Sequence, residues 1–430
     1  MGLTERWQEI RTGFTRPFWV ANISEVFERL SYYAAYSSLA IYLHDNLRFS
    51  NQDTGDLTGL FGLVWFLAVF GGAVADRLGF RRALSLAYLI LAIAYFLLGS
   101  IGAPWMAPMR AAMPLKTLVM IIVILPAFGV AMVKPCVVGT TARASKENVR
   151  SIGYSIYYTL VNVGSASGPY IASLVHQRVS VENVFRIAAL SVLLMFFAVL
   201  LFFREPRRSD DAPPPSVTQT ARNFFKVLGN IRFVLFLLIF SGFWVVYWQQ
   251  FQALPLYLTQ YAGMSGPQVE LVLITDALTV ICLQIATSFL TKSIPPFAAI
   301  TLGTLISSLS WLVLLARGGL PTVVLSLIVL AIGEMVLSPR YYEYVSRLAP
   351  TEQQGTYMGF AFVPIGVGQV VGGILSGRLM HHFAEVQHRP ALVWWFFVAF
   401  GVAVSLLLWV YDLVVKPGKQ QQASAAQDRA

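Results

Sequence analysis

Charged residues are scarce in this sequence. Asp, Glu, Lys and Arg make up 12% of its 430 residues, whereas 57% of the residues are hydrophobic. An ordinary soluble domain contains about 25% charged and roughly 45–50% apolar residues. A chain of this composition has too few polar side chains to cover the surface of a water-soluble fold. A soluble protein is therefore excluded, and we expect lipid to surround most of the chain.

Cysteine and histidine are scarce as well. Both cysteines, Cys136 and Cys282, lie in apolar runs, where a thiol behaves as a small hydrophobic group. They provide neither a disulfide framework nor a cysteine-based metal site. The five histidines fall in predicted loops without the spacing of metal ligands, and no nucleophile has a positioned base. The sequence therefore predicts no enzyme, no metal and no cofactor.

Long apolar runs are what the sequence contains instead. A membrane-spanning helix needs about 20 mostly apolar residues, and roughly twelve such runs follow one another along the chain. The run at 152–175 is the weakest, because it is rich in Gly, Ser and Tyr. The runs predict an all-α polytopic membrane protein. Residues 1–16 contain three arginines and no apolar core, so we expect a retained N-terminus and no signal peptide.

The formal net charge of +10 could indicate nucleic-acid binding, but the position of the charges favours a membrane protein. If the N-terminus lies inside the cell, most of the 31 Lys and Arg residues fall in inner loops. This asymmetry is typical of proteins that span the cytoplasmic membrane. We therefore predict a multi-pass protein of the cytoplasmic (inner) membrane with both termini cytoplasmic. Its expected partners include the lipid bilayer and no nucleic acid.

One polar segment divides the apolar runs into six and six. Residues 204–221 combine charges with three consecutive prolines, a composition that disfavours packed structure. Two repeated bundles with a site between them at the midplane are the arrangement of major facilitator transporters. The predicted domains are a cytoplasmic N-terminus at 1–16, a six-helix bundle at 17–203, a cytoplasmic linker at 204–231, a six-helix bundle at 232–415 and a cytoplasmic tail at 416–430.

The loop after the second run reads GAVADRLGFRR over residues 72–82. It resembles the G-x-x-x-D-R-x-G-x-[RK]-[RK] signature between the second and third spans of the major facilitator superfamily. Gly79 permits a tight turn, and Asp76 can face helix N-terminal dipoles. A charged loop that merely follows the positive-inside rule is the alternative. We assign a conformational role to Gly72, Asp76, Arg77, Gly79 and Arg81.

Ionisable side chains also occur inside the apolar runs. Each would cost roughly 3 kcal/mol if it faced lipid, so we expect all of them to face an interior cavity. They are Glu25, Glu28, Arg29, Lys134, Asp276 and Glu334.

The first apolar run concentrates three of these charges. Spacings of three and four residues place Glu25, Glu28, Arg29, Tyr32 and Tyr33 along one helix face, with Glu25 positioned to pair with Arg29. Two acids beside one cation allow one carboxylate to stay ionised while the other takes a proton. A purely structural ion pair is the alternative.

The remaining charges are divided between the two halves of the chain. Lys134 precedes Pro135 in the fourth run, and a lysine in hydrocarbon needs an anion or loses its proton. Glu334 in the tenth run is its candidate partner, and their contact would couple the halves. For Asp276 in the eighth run, the alternative is that its side chain reaches the membrane surface from a helix end.

Aromatic and amide side chains complete the predicted cavity, and such a lining suits an amphipathic solute. Each of them taken singly is more often a packing residue. The candidates are Trp65, Tyr157, Tyr158 and Asn162 in the first half, and Trp244, Tyr247, Trp248, Gln249 and Gln250 in the second.

At these positions the sequence resembles the proton-dependent oligopeptide transporter (POT) family of the major facilitator superfamily. Its motifs E-x-x-E-R-F-x-Y-Y, K-P-C, F-Y-x-x-I-N-x-G-S, F-W-x-x-x-x-Q-Q, G-E-x-x-x-S-P and L-A-P are matched in order along most of the chain. The matching residues are Glu25, Glu28, Arg29, Tyr32 and Tyr33; Lys134, Pro135 and Cys136; Tyr157, Tyr158, Asn162, Gly164 and Ser165; Phe243, Trp244, Gln249 and Gln250; Gly333, Glu334, Ser338 and Pro339; and Leu348, Ala349 and Pro350.

The resemblance implies a site for a small peptide. It implies that Arg29, Lys134 and Tyr33 bind the peptide carboxylate and that Asn162 and Glu334 hold the amino group. It also implies that Trp244 walls a side-chain pocket. Tyr32, Trp65, Tyr158, Gln250 and Asp276 complete the expected substrate site. The resemblance implies proton coupling through Glu25, Glu28 and Glu334.

The chain also departs from the family. Residues 204–231 contain no run long enough to span, so the two extra helices of bacterial members are absent and a twelve-span variant is expected. Trp248 stands where many members have an acid, and Asp276 stands where an asparagine contacts the amino end. We hypothesise that Asp276 moves the missing acid to the eighth span.

The expected function is a monomeric proton-coupled symporter that imports di- and tripeptides by alternating access, with protons as its coupling ion. A related transporter of another amphipathic zwitterion, organic anion or drug is the alternative. A membrane receptor or scaffold is disfavoured, because no sizeable soluble domain is evident.

Overall fold

The fold was analysed in a computed structural model of the whole chain. The structure describes residues 12–206, 217–316, 319–349 and 354–415. In these ranges the backbone is almost entirely helical, and strand pairing is limited to an isolated bridge between Phe14 and Ser145.

Eight helices form the first half of the chain. They are α1 (Arg16–Ile41), α2 (Asn51–Leu60), α3 (Leu63–Leu78), α4 (Phe80–Leu98), α5 (Ala107–Ala112), α6 (Leu115–Arg143), α7 (Arg150–Arg178) and α8 (Val181–Phe202).

Ten described helices follow. They are α9 (Val217–Leu228), α10 (Ile231–Tyr247), α11 (Ala253–Tyr261), α12 (Gly266–Val272), α13 (Ile274–Thr291), α14 (Pro296–Leu314), α15 (Leu320–Leu348), α16 (Gln354–Phe360), α17 (Val363–Leu379) and α18 (Ala391–Val415).

Among the described residues, nine helical segments are long and apolar enough to cross a membrane. In this count, helices separated by a short break, such as α10 and α11, form one segment. The other three predicted runs coincide with α1, with α2 and α3 together, and with α7. The weak run therefore forms a continuous helix of 29 residues. The prediction of an all-α polytopic membrane protein is confirmed.

Several spans are broken near their middle. One break separates α2 from α3, and another lies at a 3-10 turn, Trp248–Gln250, between α10 and α11. A third break separates α12 from α13 at Leu273. Breaks of this kind free backbone groups inside a membrane and commonly mark the binding region of transporters.

The linker is more ordered than its composition suggested. Residues 207–216 lie outside the described residues, but residues 217–228 form α9. The ring of Phe224 in α9 stacks on Phe360 of α16 with 4.7 Å between centroids. Residues 217–221, at the C-terminal end of the segment predicted to lack packed structure, thus belong to a helix. The other domain limits stay predictions.

Among the described residues, the most extensive contact between the two halves joins α2 to α17, where the backbones approach closely. A Cβ atom added to Gly373 would lie 2.6 Å from Gly59 Cα, and one added to Gly55 would lie 2.7 Å from Gly377 Cα. Only glycine allows such an approach. Another large contact between the halves joins α7 to α12 and α13.

The loop at 72–82 turns at Gly79, whose φ of 79° favours glycine. The carboxylate of Glu205 accepts hydrogen bonds from the backbone N–H groups of Phe80 (2.8 Å) and Arg81 (2.9 Å) at the N-terminus of α4. Glu205 thus fills the dipole-facing role for which Asp76 was a candidate. The side chain of Asp76 and the surroundings of Gly72 lie outside the described part of the chain.

We refer to the end of the molecule that carries Arg77, Arg81, Arg82 and Arg143 as the basic face. The opposite end carries the starts of α2 and α12 and the ends of α7 and α17. We refer to this end as the closed face, because the hydrogen bonds described below join the two halves there.

Candidate functional site

The first-half charges form a buried cluster on α1. Glu25, Glu28 and Arg29 are 0%, 0% and 2% exposed. Arg29 Nε lies 2.5 Å from Glu28 Oε2 and 3.6 Å from Glu25 Oε1. The predicted Glu25–Arg29 pair is present, but the adjacent Glu28 is the closer partner. Tyr32 packs beneath the guanidinium, whose carbon lies 5.0 Å from the ring centroid.

Several polar atoms of this buried cluster have no hydrogen-bond partner in the described part of the chain. Among the described residues, both carboxylate oxygens of Glu25, Oε1 of Glu28 and Nη2 of Arg29 have no hydrogen-bond partner. A buried polar atom without a partner costs about 1–3 kcal/mol, and more when it is charged. The arrangement is therefore suited to taking up a proton or a ligand group, since either would supply the missing bonds.

Lys134 lies near this cluster and does not meet Glu334. Its Nζ atom is 5.3 Å from the ring centroid of Trp65, and it interacts electrostatically with Glu25, Glu28 and Arg29. Among the described residues, Lys134 and Glu334 form no ion pair within 4 Å, so the predicted contact is absent. Lys134 is thus held on the first-half side by its electrostatic interaction with Glu25 and Glu28 and by its contact with the Trp65 ring.

The second-half acids form their own cluster. Asp276 is 7% exposed in the first turn of α13, and its Oδ2 accepts a 3.0 Å hydrogen bond from the Tyr247 hydroxyl. Glu334 on α15 interacts electrostatically with Asp276 and Tyr247. Asp276 does not reach for the membrane surface. The alternative considered for it is therefore wrong, because the helix break places it in the interior.

A cavity of about 70 Å³ connects the two halves. Pockets that hold small ligands usually measure about 300–1,000 Å³, so this cavity accommodates a few waters and no peptide. Its predicted lining residues are Tyr33, Tyr158, Asn162, Asp276 and Glu334, and its other polar lining residues are Ser165 and Tyr247.

The other predicted substrate residues lie behind the cavity wall. Arg29 and Tyr32 are buried in α1, and the Nζ atom of Lys134 lies over the ring of Trp65. The Trp65 indole donates to Gln369 Oε1 (3.1 Å), which joins α3 to α17 instead of lining the cavity.

Two more predicted residues are absent from the wall, and both belong to the seventh span. Trp244 is 8% exposed and packs edge-on to Tyr247 with ring centroids 5.2 Å apart. Gln250 is fully buried in the 3-10 turn. The predicted side-chain pocket at Trp244 is filled by the protein in this conformation.

The closed face is sealed by hydrogen bonds between the halves. Asn51 of α2 exchanges amide bonds with Gln260 of α11 (3.0 and 3.2 Å). Arg378 Nη1 of α17 lies 3.0 Å from Asp56 Oδ1 of α2. Closer to the cavity, Gln252 Nε2 donates to the Tyr36 hydroxyl (3.2 Å). The cavity is therefore shut off on this side.

Sequence reasoning missed one buried acid at this face. Glu270 in α12 is 0% exposed and contacts His176, which lies in the last turn of α7 and not in a loop. Glu270 stands near the start of its apolar run, where an acid normally faces water. One feature of the sequence could have revealed it. Glu270 follows the capping residue Ser265 by five positions, so it lies one turn inside a helix.

Helices that enclose a buried, polar cavity between two halves define a secondary transporter of the membrane. The chain belongs to the Major Facilitator Superfamily, whose family model matches residues 22–303 and 250–430. The protein is thus a multi-pass membrane transporter of a small substrate and not an enzyme.

Relatives by sequence include the multidrug resistance protein MdtH. The protein from Cronobacter sakazakii is 22% identical over 381 residues, covering 88% of this chain and 90% of the relative. The protein from Escherichia coli is 21% identical over 380 residues with the same coverage.

Similar solved structures include a POT family transporter in complex with a thioalcohol-conjugated peptide. Its TM-score is 0.74 at 19% identity, and the match covers 92% of this chain and 96% of that chain. A variant of the nucleoside transporter NupG has a TM-score of 0.75 at 14% identity, covering 92% of this chain and 99% of that chain. At these identities the likeness concerns the fold.

Proposed function

We propose that the protein is a proton-coupled symporter that imports di- and tripeptides by alternating access. The observation that carries this proposal is the separation of charge about one cavity. Arg29 and Lys134 lie on the first-half side, where Glu25 and Glu28 neutralise them until these acids take protons, whereas Asp276 and Glu334 line the second-half side. A short peptide is a zwitterion whose carboxylate and ammonium groups are complementary to this arrangement.

The proposed proton step begins at the acids of α1. Glu28 holds the Arg29 guanidinium in the present conformation. Protonation of Glu28 or Glu25 would release Arg29, and with it Lys134, toward a substrate carboxylate. On the other side, one proton shared by Asp276 and Glu334 would leave one carboxylate free to hold the ammonium group. Release of the protons to the inside of the cell would restore these contacts and expel the peptide.

Alternating access is supported by the unequal closure of the two ends. Hydrogen bonds join the halves at the closed face, whereas Tyr158, which lines the cavity nearer the basic face, is 51% exposed. With the predicted cytoplasmic termini, the basic face is inside and the closed face is outside. The conformation would then be closed to the outside, with a central cavity too small to hold a peptide.

The test is uptake of a labelled dipeptide into liposomes that contain the purified protein, with and without an inward proton gradient. We expect accumulation only with the gradient and its loss in Lys134→Ala and Glu334→Gln. Lys146→Ala and Glu147→Gln are matched controls, because both side chains are exposed on the loop after α6. No uptake of any dipeptide by folded protein would refute the peptide assignment.

A second candidate is the proton-driven export of an amphipathic drug, favoured by the MdtH relatives and by the aromatic residues Trp65, Trp244 and Trp248 near the cavity. The same liposomes distinguish the two functions. Gradient-driven movement of a fluorescent lipophilic cation, unaffected by excess dipeptide, would favour export. Competition by dipeptides would favour a shared peptide site.

A further inference from the structure

The buried carboxylate of Glu270 crosses from the second half into the first. Its Oε1 atom accepts a 2.6 Å hydrogen bond from Ser38 Oγ of α1 and lies 3.0 Å from His176 Nδ1 of α7. Among the described residues, its Oε2 atom has no hydrogen-bond partner. A single carboxylate thus contacts two helices of the opposite half, at the closed face.

Close packing around this carboxylate makes the contact specific to the closed conformation. Ser173 Oγ of α7 donates to the backbone carbonyl of Pro267 (2.7 Å). A Cβ atom on Gly266 would lie 2.5 Å from His176 Cε1. The start of α12 therefore rests directly on α7, and the Glu270–His176 contact is lost as soon as the two helices separate.

The helices packed against α12, namely α1, α7, α11 and α13, carry other ionisable groups toward the closed face or close to α12 in the chain. They are Arg178 at the end of α7, Tyr42, His44 and Asp45 after α1, Tyr257 and Tyr261 on α11, and Asp276 on α13. In the described part of the chain, none of them forms an ion pair with Glu270. His44 contacts Asp45 (2.6 Å), and Asp276 accepts from Tyr247. His176 is thus the side chain that can balance the carboxylate.

We infer that Glu270 and His176 form a proton-linked contact that holds the closed face shut. At 3.0 Å the carboxylate and the imidazole share one proton, as a neutral pair or as an ion pair. A second proton converts the pair into a carboxylic acid beside an imidazolium, whose charge then has no anionic partner in a largely buried place. Separation of α12 from α7 relieves this cost by admitting water.

This inference rests on the proposed function, since it adds a proton-binding carboxylate to the proton-coupled cycle. Glu270 precedes Asp276 by six residues in the same span. Acid outside the cell would open the closed face and admit protons and substrate to the central cavity. Glu270 acts as a positioning residue, because it does not line the cavity that would hold the substrate.

The experiment measures the opening directly and needs no substrate. Spin labels are placed on cysteines at Val179 and Val386, which are 67% and 60% exposed at the closed face of the two halves. Cys136 and Cys282 are first replaced by alanine. Pulsed electron–electron double resonance on the reconstituted full-length protein then gives the distribution of distances between the two labels from pH 8 to pH 5. With Glu270 and His176 unchanged, we expect the long-distance population of the two labels to grow as the pH falls.

Variants assign this response to the pair. Glu270→Gln leaves His176 without an anionic partner, so one proton on His176 is enough to give the unpaired imidazolium. Its ratio of open to closed protein should therefore be about tenfold higher than that of the wild type near the middle of this pH range. His176→Gln retains a hydrogen-bond donor without the charge and should stay closed with a smaller response. Ser38→Ala should open more at every pH but respond normally.

His382→Gln is the matched control, because His382 at the same face bonds Gln387 within its own segment. A wild-type response in Glu270→Gln would overturn the inference, as would a pH-independent wild type. Peptide uptake is measured separately. Gradient-driven uptake without a pH-dependent opening would reject the role of Glu270 alone. A pH-dependent opening that changes as expected in Glu270→Gln and His176→Gln, without peptide uptake, would reject the peptide assignment alone.

Discussion

The glycine contact between α2 and α17 gives a quantitative prediction for closure. In Gly373→Ala, the new methyl group would lie 2.6 Å from Gly59 Cα, whereas carbon atoms normally approach to about 3.5–4.0 Å. The two backbones would have to separate by about 1 Å. Overpacking of this kind costs about 1–3 kcal/mol, and only the closed conformation bears the cost. The ratio of open to closed protein should therefore rise by about 5- to 150-fold.

The labels at Val179 and Val386 measure this ratio, and uptake measures its consequence. Gly373→Ala should show a larger long-distance population at every pH and slower substrate accumulation, because the closed conformation is reached less often. Gly102→Ala is the matched control, since a Cβ atom at Gly102 meets nothing within 4 Å. An unchanged distance distribution in Gly373→Ala would refute the argument that backbone contact sets the closure.

Three further predictions concern single side chains. Asp276→Asn should weaken the pH dependence of uptake, and Asp276→Glu should retain it; full pH dependence in the asparagine variant would contradict the role of Asp276. Arg29→Met leaves two buried acids without their cation, so thermal unfolding should occur at a lower temperature by an amount equivalent to about 3–5 kcal/mol, with Arg29→Lys intermediate. Glu205→Gln weakens the cap of α4 and should cost about 0.5–2 kcal/mol in the same assay, whereas the exposed Glu147→Gln should cost almost nothing.

The sequence was sufficient to predict features that depend on local spacing. Helical periodicity brought Glu25, Glu28 and Arg29 together, and the structure places them in one ion-paired cluster. The weak run at 152–175 forms α7, because Gly and Ser there allow α7 to approach α1. A Cβ atom on Gly168 would lie 2.8 Å from the backbone nitrogen of Ala34.

Contacts between distant helices could not be predicted in the same way. Lys134 and Glu334 have complementary charges, yet their positions depend on how the two halves close around Trp65 and Tyr247. Glu270 and His176 are 94 residues apart, and each alone resembles a polar residue at a helix end. The break that turns Asp276 inward also has no clear signature in its apolar run.

The closest approach of α2 to α17 is made by glycines, although Arg378 and Asp56 also pair between these helices. At the glycines, closing the contact orders no rotamers, whereas a contact of the same area between leucines or lysines would lose side-chain entropy each time it formed. Its attraction comes from dispersion and weak Cα–H···O contacts between backbones, which are individually small. Such a surface can separate and rejoin many times with little change in free energy. A carrier requires this property, because a cycle stalls when either of its end states is much more stable than the other.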